Sequence, residues 1–135
     1  MEEPNVASPE TQLTIAVQRE ADHVVIVPTG YLNALTGERI DKVCDALLKE
    51  GIKYILINFK QVELINTIGI SILVGIIEKV HLQGGLVYFT HLGGTNLEIF
   101  EVLDLGSVAL FFPTDDQARE HLRHDRETQR RALGQ

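Results

Sequence analysis

The sequence predicts an α/β domain, with an N-terminal β-hairpin followed by alternating strands and helices that build a mixed, mostly parallel sheet flanked by helices. Three observations predict it. Leu13, Ile15 and Val17 alternate with Thr14 and Ala16 at the period of a half-covered strand. Three later runs, Tyr54 to Phe59, Leu86 to Thr90 and Val108 to Phe112, are apolar on both faces, as strands covered by helices on both sides must be. Between them apolar residues recur at helical spacing, and strand-helix alternation implies parallel strands joined by right-handed crossovers.

Each element follows in order. Residues 1–11, with Pro4, Pro9 and three glutamates and almost nothing to bury, read as a mobile leader. Residues 12–122 form the domain. The run from Leu13 and the run Val24 to Pro28 make two strands of a hairpin, with Asp22 in the turn. From Thr36, the residues Ile40, Val43, Cys44, Leu47 and Leu48 fall on one helical face, and Gly51 supplies the stop. After the strand at 54–59 and a short loop, Asn66 or Thr67 can cap a helix through Leu82 that ends at Gly84 and Gly85. Thr95 or Asn96 can start a helix through Leu105, with Leu97, Phe100 and Leu103 at helical spacing and Gly106 after it. Thr114 and Gln117 form a capping-box pattern that opens a last helix, with Asp115 and Asp116 in its first turn. Residues 123–135 read as a polar helix end or tail. The predicted order is β-β-α-β-α-β-α-β-α.

Composition narrows the function classes. The chain has 135 residues and a net charge of -7, and Met1 to Thr114 carries the whole excess, with 7 basic against 14 acidic residues. A surface that tracks phosphates needs clustered Lys and Arg, so nucleic-acid binding by the domain is not expected. A single cysteine, Cys44, excludes an internal disulfide and suits a reducing compartment. The longest apolar run, Ile68 to Ile77, is far short of the ~20 residues that cross a bilayer. The acidic start has no apolar signal segment. A cytoplasmic protein without membrane insertion is expected.

Recognisable catalytic constellations are missing. Ile68 to Ile72 does not supply the Gly-x-Ser-x-Gly of a nucleophile elbow, and the glycine pairs at 84–85 and 93–94 lack the lysine of a phosphate loop. His121 and His124 share a helix face but have no third ligand nearby, so no metal and no cofactor are expected. The informative stretch is Leu64 to Ile70, where a covered strand leads through a loop into a helix beginning Asn66, Thr67, Ile68, Gly69. A hydroxyl at a helix start stands among unpaired backbone N–H groups at the positive end of the dipole, where a phosphate is stabilised. The same residues also serve as an ordinary N-cap.

The segment KYILINFKQVELINTIGISILVGIIEKVHLQGGLVYF resembles the STAS family of bacterial anti-sigma factor antagonists. In that family Asp-Ser-Ser-Gly opens a helix and its first Ser accepts phosphate; the aligned residues here are Asn66, Thr67, Ile68 and Gly69. The family's Gly-x-Leu-Asp loop after the second strand corresponds to Gly30, Tyr31, Leu32 and Asn33. Both acidic positions are thus amides here, and the acceptor is Thr. The resemblance, over about Leu13 to Glu120, implies a noncatalytic partner-switching protein that captures an ATP-dependent anti-sigma factor kinase and so releases a sigma factor. It implies Thr67 as phosphoacceptor, a serine/threonine phosphatase that resets it, and a partner surface of Asn33, Asn66, Ile68, Gly69 and Ile70, with Gly30 and Leu32 in the supporting loop. A homodimer is compatible with it. The alternative it leaves open is an unswitched scaffold or subunit of a stress-sensing or transporter complex.

Overall fold

The computed structural model describes residues 13–107, 109–132 and 134; the expected leader lies outside them. Six strands and four helices follow in the order β1 (Leu13–Arg19), β2 (Val24–Leu32), α1 (Ala34–Lys49), β3 (Tyr54–Asn58), β4 (Val62–Ile65), α2 (Thr67–Leu82), β5 (Leu86–Thr90), α3 (Gly94–Val102), β6 (Leu110–Phe112) and α4 (Asp115–Ala132). The sheet order is β1-β2-β3-β5-β6. Among the described strands only the β1–β2 hairpin is antiparallel; β2–β3, β3–β5 and β5–β6 are parallel.

Strand side chains alternate between two cores. Val24, Ile26, Ile55 and Ile57 join Ile40, Cys44 and Leu47 of α1, Leu73, Ile76 and Val80 of α2 and Phe100 of α3 on one face. Val25, Leu56, Tyr54 and Tyr88 meet Ala118 and Leu122 of α4 on the other. Burial on both sides explains why these segments are apolar on both faces. Cys44 is fully buried, and its thiol is pushed up to about 12, first by desolvation and then by the charge of Asp41.

Four expectations need correction. The loop between β3 and α2 contains β4, which pairs in parallel with the far half of β2 (Leu32 opposite Ile65), so β3 and β4 occupy successive halves of one lane. Strand β2 does not stop at Pro28 but runs to Leu32, so Gly30 and Leu32 are strand residues rather than loop. Pro28 is tolerated because Gly30, two residues on and on the same edge, donates its N–H to Gln61 O (3.1 Å); the missing donor of Pro28 therefore faces the break between β3 and β4. Gly30 itself takes φ 125° at the register shift, a conformation open to glycine. The helix expected through Leu105 ends at Val102 and is followed by a 3-10 turn at Leu105–Ser107. Finally, β6 is a three-residue, half-buried edge strand rather than a covered one.

Candidate functional site

The site is built where β2 and β4 end side by side. Since Leu32 pairs with Ile65, the next residues, Asn33 and Asn66, stand next to each other, and each caps a 16-residue helix. Asn66 N–H donates to Leu32 O at 3.0 Å, which ties the second helix start to the end of β2. Asn33 Oδ1 accepts from the amides of Leu35 (3.0 Å) and Thr36 (3.1 Å). Thr36 completes the box: its Oγ1 accepts from Asn33 N–H at 2.9 Å and donates to Tyr31 O at 2.7 Å. Asn66 Oδ1 accepts from Gly69 N–H at 2.8 Å. Each cap stabilises its helix by ~1 kcal/mol.

Gly69 sets the separation of the two helix starts. A Cβ on it would stand 2.6 Å from Leu32 O and 3.0 Å from its carbonyl carbon, so only glycine lets α2 approach the β2 backbone this closely. The inward residues of the first turn are Gly69 and Ile70, the latter 3% exposed and part of the core. The contact expected of Ile70 is therefore replaced by packing, because helical geometry turns it toward the sheet. The outward residues are Asn66, Thr67, Ile68 and Ser71. Ile68 and, on the first turn of α1, Leu35 are each 56% exposed, and Leu64 of β4 is also exposed.

Thr67 is the first residue of α2. Its carbonyl accepts from Ser71 Oγ (3.2 Å), while no group among the described residues engages its hydroxyl. The capping bond leaves the amides of Thr67 and Ile68 without an intrahelical acceptor, as at any helix start. Neither α1 nor α2 has an acidic residue in its first turn, and both caps are neutral amides, so the positive ends of two dipoles stay unneutralised here. Beside Thr67 an open groove of about 290 Å³ is walled by Thr95, Glu98, Ile99, Val102 and Leu103 of α3. Sequence reasoning grouped Leu103 with Leu97 and Phe100 at helical spacing and missed this wall. Leu103 caps α3 and is half exposed, because the helix ends a turn early. The role of Thr36 was also missed, although the spacing of Asn33 and Thr36 is that of a capping box.

Among the described residues no group of His, Cys, Asp and Glu side chains could hold a metal ion, and no helix is long and apolar enough to cross a membrane.

Fold and site together define a mixed α/β domain that presents two neighbouring helix N-termini, one bearing an open hydroxyl. The profile of the STAS domain matches residues 14–118, and the chain belongs to that family. It is similar in structure to an anti-sigma factor antagonist from Mycobacterium paratuberculosis, at 19% identity and TM-score 0.76, over 87% of this chain and 99% of that one. It is also similar to the Bacillus cell fate determinant SpoIIAA in its phosphorylated form, at 18% identity and TM-score 0.63, over 81% and 99% of the two chains. A third similar structure is an anti-sigma-factor antagonist (STAS) domain protein from Planctomyces limnophilus, at 21% identity and TM-score 0.64, over 77% and 92%.

Proposed function

We propose that this protein is a noncatalytic anti-sigma factor antagonist, switched by phosphorylation of Thr67. In the unphosphorylated form it binds an anti-sigma serine/threonine kinase and releases a sigma factor; a serine/threonine phosphatase restores that form. One observation carries the reading: an exposed, unengaged hydroxyl stands at the positive end of α2, on the rim of a largely apolar groove. That SpoIIAA has been solved in a phosphorylated form supports the assignment by analogy of fold.

The switch follows from the groove. Before modification a partner would meet Ile68, Ile99, Val102 and Leu103, and burial of such surface favours association by ~25 cal/mol per Å². A phosphate on Thr67 brings about 1.5 to 2 negative charges to the same rim. The helix end stabilises that dianion, so it persists, but an apolar partner face would have to desolvate it beside Glu98, which costs several kcal/mol per ion without a basic counterpart.

The test is phosphoryl transfer from ATP by an anti-sigma serine/threonine kinase of the same cells, with capture of that kinase read in parallel. Label on wild type, none on Thr67→Ala, and loss of capture by the phosphorylated form are expected. Label on both proteins, or undiminished capture after phosphorylation, would refute the switch. The second reading, a permanent scaffold, rests on Asn33 and Asn66 being used as caps, which accounts for both without any partner chemistry. It requires partner capture that is indifferent to Thr67→Glu.

A further inference from the structure

We propose that the cavity between the β1–β2 turn and α4 binds a small polar organic phosphate or carboxylate. It lies at the opposite end of the sheet from Thr67. The cavity abuts residue 23, whereas Asn33 follows residue 32, and the eight steps of β2 between 24 and 32 span roughly 26 Å. Its volume is about 570 Å³, within the range of small-molecule sites.

Arg119, Arg123 and Arg126 stand at i, i+4 and i+7 on one face of α4 and all line this cavity. Two of the three are fixed by the protein. Arg126 Nη1 donates to Asp22 Oδ2 at 2.8 Å. Arg119 donates through Nη1 to Asp116 Oδ1 (2.9 Å) and through Nε to His23 Nε2 (3.2 Å). Since His23 Nε2 accepts, the neutral ring carries its proton on Nδ1, which lies 2.7 Å from Asp22 Oδ1. His23 is 3% exposed, so the chain Asp22–His23–Arg119 holds that guanidinium from within the fold.

These contacts dock α4 and also neutralise Asp22 and Asp116. They do not account for Arg123, an exposed residue that lines the cavity and makes no hydrogen bond or ion pair among the described residues. Two guanidiniums held in place with donors to spare and a third arginine without a partner line one cavity, and a guanidinium is a planar fork that grips phosphate and carboxylate oxygens in pairs. Only Ala21 offers an apolar wall, which excludes a large hydrophobic ligand. Glu20 at the same cavity supplies an acceptor for a hydroxyl or amino group. The site thus fits a compact ligand with an oxyanion head and a polar body.

The experiment is an NMR titration of the full isotope-labelled chain with inorganic phosphate and, separately, with malate, at constant ionic strength set with sodium chloride. Saturable shifts are expected in residues 20–23 and 116–126 and not around Thr67, and the tighter probe names the head group. Arg123→Ala should weaken binding about tenfold or more, the loss typical of a charge-assisted contact. It breaks no protein contact, so the fold should persist. Arg130→Ala, on the same helix but outside the cavity, should bind as wild type. Absent or non-saturating shifts with both probes, equal binding by Arg123→Ala and wild type, or equal weakening by Arg130→Ala would overturn the proposal.

Discussion

Gly69→Ala and Gly75→Ala add the same methyl group to the same helix, yet the structure requires opposite effects. At Gly69 the new Cβ would lie 2.6 Å from Leu32 O, a backbone atom that cannot rotate away, so α2 must back off from β2. Overpacking of this kind costs ~1–3 kcal/mol. The better helix propensity of Ala returns ~1 kcal/mol, which leaves a net loss of up to ~2 kcal/mol. At Gly75 nothing lies within 4 Å of the added atom, and the residue is exposed. Only the propensity term remains, a gain of ~1 kcal/mol. For a domain of this size a kcal/mol corresponds to roughly 3–4 °C in Tm, so calorimetry and urea unfolding should show Gly69→Ala up to several degrees below wild type and Gly75→Ala a few degrees above it. If both variants shift the same way, close approach of α2 to β2 is not what selects glycine at 69. Because that approach also sets the spacing of the Asn33 and Asn66 caps, Gly69→Ala should weaken partner capture beyond its effect on stability.

Two further predictions concern buried or paired groups. Cys44, fully buried with its thiol pushed up to about 12, should resist a thiol-labelling reagent in the native protein and react as fast as a free cysteine in denaturant; rapid native labelling would contradict the packing of α1 on the sheet. The Asp22 carboxyl is held below its ordinary range, first by the hydrogen bond from His23 and also by Arg126. Its folded-state value being the lower, it contributes stability above its unfolded value near 3.9, and that contribution disappears as pH falls through the folded value. Urea midpoints measured from neutral pH into acid should fall less steeply for Asp22→Asn than for wild type; parallel curves would show that the pairing adds nothing.

Most of the fold was legible because periodicity reports burial directly. The mostly apolar runs at 54–59 and 86–90 are covered strands, and Gly51 and Gly84 end α1 and α2 as their positive φ allows. Strand β4 escaped because Val62–Ile65 is four residues long and its buried pair, Val62 and Ile65, breaks the period of two. Pro28 hid the second half of β2, since the gap that spares its missing donor exists only once β3 and β4 share a lane. At the site the sequence singled out Asn33, Asn66 and Thr67 but could not bring the first two together, which the register Leu32 to Ile65 does. The arginine cavity was still further from view. His23 meets Arg119 across 96 residues and Asp22 meets Arg126 across 104, and such pairs leave no local pattern.

The amide caps at Asn33 and Asn66 make a last prediction that needs no partner. Asp caps a helix as well as Asn does, and a carboxylate at the positive end of a helix adds ~0.3–1 kcal/mol, so Asn66→Asp alone should stabilise slightly. Thr67→Glu, which places a single negative charge where the proposed phosphate would sit, should do the same. Together they cannot both collect that energy. Two adjacent carboxylates ~6 Å apart in water repel by about 0.7 kcal/mol, so the double variant should fall short of the sum by ~0.5–1 kcal/mol at low salt. The shortfall should shrink as salt screens the pair. A double-mutant cycle by urea unfolding measures this term directly. If the two changes add at low salt, position 66 does not share the electrostatic field of position 67, and neutral caps confer no tolerance for an anion there. If they fail to add, Asn66 keeps the start of α2 open to a second charge that Asp would already have occupied. A phosphate on Thr67, carrying more charge than a single carboxylate, would feel that difference more strongly.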